Sequence, residues 1–144
     1  MTHERDGGGS MLNIQRVFAD DGGDTHFSDV VLPVLANPED GVGGQRRSLR
    51  RIPLTTLNVN ALFEPLGSVD YHVAPRRQMI VVLRGAFEIT TSLGERKRFE
   101  RGDCLLADEL EGKGHRFEDI GDEPLATLAI GIAPDWEVPE VEPS

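Results

Sequence analysis

The chain has 144 residues, 38% of them hydrophobic, and carries a formal net charge of −10. That length suits one domain with one core, and the charge makes nucleic acid and anionic membranes poor partners. No apolar run approaches the roughly 20 residues that a membrane-spanning helix needs, and Cys104 stands alone, so no intrachain disulfide forms.

The N-terminal stretch "MTHERDGGGSM", 1–11, is polar and glycine-rich and lacks the apolar segment of a signal peptide. It reads as a disordered leader, and the default expectation is a soluble cytoplasmic protein with its folded domain over 12–134. "MLNIQRVF" predicts a first strand. The glycines and aspartates of "ADDGGD" predict a loop before a second short apolar segment, and the turn formers of 36–51 predict an exposed connection. "LNVNALF" (57–63) alternates, placing Leu57, Val59, Ala61 and Phe63 on one face. "QMIVVLR" is apolar on both faces and predicts a buried strand. Then come "AFEITT", a turn at "SLG", a polar strand in "ERKRFE", a turn at "RGD", and strands in "CLLAD", "RFEDI" and "LATLAIGI". The last residues, 135–144, read as an acidic, proline-bearing tail that Trp136 pins to the body. Short strands between glycine-bearing turns, with no helical period, predict one all-β sandwich or barrel.

The glycine framework adds a family resemblance. Gly67 and Gly85 bracket one motif, and "RFERGDCLLADELEGKGH" supplies a second, from Gly102 and Asp103 to His115. Together they resemble the cupin superfamily, whose members are single jelly-roll barrels, over residues 57–132. In that family a His-x-His pair, a glutamate and a later histidine hold a metal inside the barrel. The resemblance puts His72 and His115 on two of the histidine positions, Ala74 on the third, Gln78 on the acid and Asp119 on a usual asparagine. The implied metal set, if a metal binds, is therefore His72, Gln78 and His115, holding a divalent transition ion (Fe, Mn, Ni or Zn) weakly or none at all. Glu64, Glu88 and Asp108 are candidates for the missing carboxylate.

Without a metal the same residues suit acid–base chemistry, because imidazole exchanges protons near neutrality. His72 and His115 are the candidate acid and base, with Tyr71 as a further donor. Arg76 or Arg77 would clamp a carboxylate or enolate with two hydrogen bonds, Gln78 would donate to a substrate oxygen, and Lys113 would reach over from "EGKGH". The expected function is an isomerase, lyase or cyclase acting on a small anionic or carbonyl-bearing compound. A non-catalytic anion binder and a metal-dependent dioxygenase are the alternatives. Adjacent strand residues face opposite ways, so only one of Arg76 and Arg77 can point inward. Cys104 reads as core, His26 as a loop residue, and the resemblance implies a homodimer.

Overall fold

The computed structural model describes residues 14–30, 34–35, 47–48, 52–137 and 141–143. The expected leader, the residues before Ile14 in the first strand, and most of the 36–51 connection lie outside the described residues. Every regular element within them is a strand.

Seven strands make one sheet: β1 (Ile14–Ala19), β2 (Thr25–Val30), β5 (Leu54–Ala61), β7 (Gln78–Arg84), β10 (Cys104–Ala107), β12 (Ala126–Ile132) and β13 (Val141–Pro143). Their order is β13-β2-β1-β10-β7-β12-β5. The second sheet holds β6 (Ser68–His72), β8 (Ala86–Thr90), β9 (Arg96–Glu100) and β11 (His115–Ile120), in the order β6-β11-β8-β9. A two-stranded ribbon, β3 (Val34–Leu35) with β4 (Arg47–Ser48), stands apart. The chain crosses repeatedly between the two sheets, and the result is a single jelly roll, as the sequence predicts.

The core forms where the inner faces meet. Val17, Phe27, Val82, Leu105 and Ala107 from the large sheet pack with Phe87, Ile89 and Phe99 from the small one. Alternation along each strand puts a second, smaller cluster on the outside of the large sheet. There Ile14, Val30, Leu106 and Ile132 are covered by Ile52, Met79 and Trp136, so Trp136 does pin the chain end. Pairing of β13 with β2 extends the sheet into the segment that the sequence presents as a tail.

Three expectations change. "QMIVVLR" is buried mainly through its inner face: Val82 is 1% exposed, whereas Leu83, on the outer face, is 40% exposed. The 57–63 row of alternating apolar residues also lies outside, with Leu57 and Val59 exposed at the free edge of the large sheet. His26 sits within β2 rather than a loop, and its Nε2 meets Asp20 at the preceding turn, 2.7 Å away. Between β7 and β8, Gly85 turns the chain at φ +79°, and a Cβ there would lie 3.0 Å from the Glu123 carbonyl and the Leu125 Cα. This turn needs glycine for conformation and for space.

Candidate functional site

A cavity of about 150 Å³ opens between the sheets, with His72, Gln78, His115 and Thr127 as its polar lining. Ile80, Phe87, Ile89, Leu105, Phe117 and Leu125 supply most of the rest, so the wall is largely apolar. An engineered protein cavity of about this volume holds benzene, which sets the scale of ligand that fits.

The two histidines arrive from neighbouring strands. His115 opens β11 directly opposite His72 at the end of β6, and their rings lie 4.8 Å apart between centroids at 55°. Gly114 permits this approach. Its φ is +84°, and a Cβ there would lie within 2.8 Å of the His72 backbone. A side chain at that position would push the two imidazoles apart.

Each ring has one nitrogen already engaged. Nδ1 of His72 lies 2.8 Å from the Asp70 carbonyl oxygen, which can only accept. That nitrogen therefore carries the proton, and neutral His72 keeps Nε2 as a free base. Nδ1 of His115 lies 2.7 Å from Oε1 of Glu109, and both side chains are almost wholly buried. The other Glu109 oxygen, Oε2, is buried with no hydrogen-bond partner. Burial pushes the Glu109 carboxyl up to about 7, against the opposing Gly114 amide. Burial, helped by the neighbouring His72, pushes His115 down to about 4.

These directions give the pair a tautomer switch. Between about pH 4, below which His115 is itself protonated, and about pH 7, Glu109 holds the proton and donates it to Nδ1, so neutral His115 carries its own hydrogen on Nε2. Above pH 7 the Nδ1–H donates to the ionised Glu109, and Nε2 becomes a free base.

The structure sorts the sequence candidates cleanly. His72, His115 and Gln78 line one cavity. Arg77 does not: its Nε lies 2.7 Å from Asp108 Oδ1, and its Nη1 donates to the Trp136 carbonyl on the outer side of the large sheet. The reason is strand alternation, since Gln78 and Ile80 face inward and Arg77 precedes Gln78. Arg76 is exposed on the bend before β7. Lys113 reaches Asp24 at 2.9 Å, and Tyr71 is 45% exposed, with neither lining the cavity. The three proposed substitute carboxylates are elsewhere: Asp108 is held by Arg16 and Arg77, Glu88 by Arg96, and Glu64 is exposed. Glu109, which sequence reasoning passed over inside the turn-like "DELEGKG", is the acid of the site. The signal available was an acid six residues before the histidine with no basic residue beside it.

The implied metal set is incomplete. Among the described residues no three His, Cys, Asp or Glu side chains are grouped to hold an ion. Each imidazole has one nitrogen left, Gln78 offers only a neutral amide, and the Glu109 carboxylate stands behind His115. His72, Gln78 and His115 do converge on the cavity, but two imidazoles and a neutral amide bring no charge to offset a divalent cation's, so a resident catalytic metal fits this donor set poorly.

No family model matches the chain. No curated protein matches it either. Among solved structures it is similar to a protein of unknown function (DUF1255) from Acidithiobacillus ferrooxidans, at 15% identity over 83% of this chain and 87% of that one, TM-score 0.29. It is also similar to NovW, a 4-keto-6-deoxy sugar epimerase from the novobiocin biosynthetic gene cluster of Streptomyces spheroides. That match has 18% identity over 92% of this chain and 74% of that one, TM-score 0.36. At these scores neither likeness bears on the chemistry, which rests on the cavity itself.

Proposed function

We propose that this chain is a small cupin-like enzyme that moves a proton next to a carbonyl group, as an isomerase, lyase or cyclase does. The observation that carries this reading is the buried Glu109–His115 contact at 2.7 Å with the His72 ring 4.8 Å from His115 in the same cavity. Burying a carboxyl against an imidazole with one carboxyl oxygen left unpartnered is a costly arrangement, and perturbed pairs of this kind gather at functional sites.

With Glu109 ionised, His115 Nε2 takes the α-proton, and the imidazolium that forms is stabilised by Glu109 across Nδ1. The electron pair released from carbon moves onto the carbonyl oxygen, where the Gln78 amide donates a hydrogen bond to the enolate. Return of the proton to the same carbon is simple exchange. Passage to His72, which delivers it to a different atom, is isomerisation, and delivery to a departing hydroxyl is dehydration. The apolar wall keeps water from quenching the enolate. With both arginines and Lys113 outside the cavity, the anion-binding alternative loses its cations.

Cyclohexanone is enolisable and small enough for the cavity, so α-deuterium exchange in D2O, followed by NMR, tests the reading. Wild-type protein is expected to speed exchange, and His115→Ala to lose roughly 100-fold or more of that rate. Equal rates with and without His115 would sink the reading.

A second copy of the chain is the partner that the surface favours. Between Leu54 and Phe63 no residue is ionisable in a chain of net charge −10, and among the described residues nothing pairs with the outer edge of β5. Leu57 and Val59 are 56% and 68% exposed on the outward face of β5. An uncharged apolar edge is where two equally acidic bodies meet with least repulsion. Sedimentation at micromolar concentration is expected to show a dimer that Leu57→Lys with Val59→Lys dissociates. A wild-type monomer would remove the proposal.

A further inference from the structure

The two faces of β5 differ in chemistry as well as direction. Its outward residues are apolar, whereas Thr56, Asn58 and Asn60 form a neutral polar row on the other face. Cross-strand pairing fixes where that row points. Asn60 stands opposite Thr127, which lines the cavity. Asn58 stands opposite Ala129, itself opposite the cavity residue Ile80, and Thr56 stands opposite Gly131, itself opposite the cavity residue Gln78. Directly opposed residues share a face, so the row continues the inner face beyond the cavity lining: Asn60 lies one strand, about 4.8 Å, from Thr127, while Asn58 and Thr56 lie two strands, about 9.6 Å, from Ile80 and Gln78.

Gly131 strengthens the point. A Cβ there would lie 2.6 Å from Thr56 Oγ1 and 2.7 Å from Thr55 Oγ1, so threonine hydroxyls occupy the space beside Gln78 that a side chain would fill. The row runs roughly 13 Å at about 3.3 Å per residue. All three residues are exposed, and no charged residue lies within β5.

We infer that Thr56, Asn58 and Asn60 form a second subsite that binds the neutral, hydroxyl- or amide-bearing end of the substrate whose carbonyl end enters the cavity. This rests on the proton-transfer reading of the cavity and narrows it. The substrate class becomes an uncharged polar compound with an enolisable head of about benzene size and a hydrogen-bonding tail. Asparagine amides and threonine hydroxyls each donate and accept, which suits hydroxyl and amide groups. They offer nothing to compensate a carboxylate's lost hydration, and the protein's charge opposes its approach.

Three probes separate the possibilities by NMR titration: cyclohexanone, 4-oxocyclohexanecarboxamide and 4-oxocyclohexanecarboxylate. The carboxamide is expected to bind roughly three- to tenfold more tightly than cyclohexanone, as one or two added hydrogen bonds would give, and the carboxylate more weakly than either. In Asn58→Ala with Asn60→Ala the ratio of the carboxamide and cyclohexanone dissociation constants should fall to near one. Because the ratio is taken within one protein, partial unfolding of the variant does not mimic that result. If cyclohexanone fails to bind in the cavity, the proton-transfer reading falls and takes the subsite with it. If cyclohexanone binds but the carboxamide gains nothing, if the carboxylate binds best, or if the double variant keeps the wild-type ratio, the subsite alone is wrong.

Discussion

Asp108 and Glu109 are neighbours in sequence, both carboxylates, both nearly inaccessible to solvent, and they do opposite things. Alternation beyond β10 sends Asp108 to the outside of the large sheet and Glu109 to the inside. Asp108 is gripped by two guanidinium groups, Arg16 at 2.7 Å and Arg77 at 2.7 Å. Glu109 has no cation, only the neutral Gly114 amide and the imidazole of His115, with one oxygen lacking a hydrogen-bond partner. A buried carboxylate with full counter-charge is a structural clasp, tying β1, the start of β7 and the Trp136 segment together. One with an imidazole and no cation keeps its proton in play near neutrality. Charge pairing, more than burial, separates the two roles.

The sharpest way to break the contrast is to remove the clasp. Asp108→Ala leaves two partly buried guanidiniums facing each other with no carboxylate, and is expected to cost about 3 kcal/mol of stability, toward the lower end for losing one partner of a buried pair. Urea unfolding measures it. Exchange activity per folded molecule should change little, because Asp108 does not line the cavity. A large loss of activity at unchanged stability would show that the two carboxylates are not separable.

Much of this arrangement can be read in the sequence, and the unread part has a physical cause. The glycine-punctuated strands from Ala86 to Ile132 are local signals, and so the all-β sandwich is legible. His72, Gln78 and His115 are legible as cavity residues only through the cupin resemblance, which aligns them on the framework of Gly85 and Gly102. The arginines mislead because a guanidinium next to a histidine suits an anion site equally well. Only parity with Ile80 shows that Arg77 must face away, and parity is hidden when a strand is apolar on both sides. Strand β6 is short and all its residues are exposed; Val69 and Tyr71 alternate with Ser68, Asp70 and His72, but five residues are too few to announce a strand. Glu109 is invisible for a different reason. It lies in a glycine-rich loop that looks solvated, yet Ala74, far away in the chain, donates its N–H to the Glu109 carbonyl at 2.9 Å and ties that loop to the cavity wall.

A milder change sharpens the comparison. Glu109→Gln keeps the size and one hydrogen bond to His115 but cannot ionise. Wild-type exchange should rise with pH through about 7 as Glu109 releases its proton and frees Nε2 of His115. In the variant that step should vanish, with the rate at pH 8 lower by about tenfold, at or below the small end of general acid–base effects. A pH–rate profile with the step intact would assign it to another group.

The same variant separates the two groups thermodynamically. The His115 pKa falls from 6.5 unfolded to about 4 folded. The unfolded chain therefore binds more protons between those values, and this contribution raises stability as pH rises from 4 to 6.5. Glu109 rises from 4.5 unfolded to about 7 folded. The folded chain then binds more protons between those values, and this contribution lowers stability as pH rises from 4.5 to 7. Over the shared range the two slopes oppose, and the wild-type pair should add almost nothing to the pH dependence. Glu109→Gln removes only the falling one, so the variant's stability minus the wild type's should rise with pH from 4.5 to 7. Its limiting slope is about 1.4 kcal/mol per pH unit. Urea titrations at several pH values measure that difference directly. A constant difference would mean that Glu109 ionises at the same pH in the folded and unfolded chain, and that burial does not hold its proton.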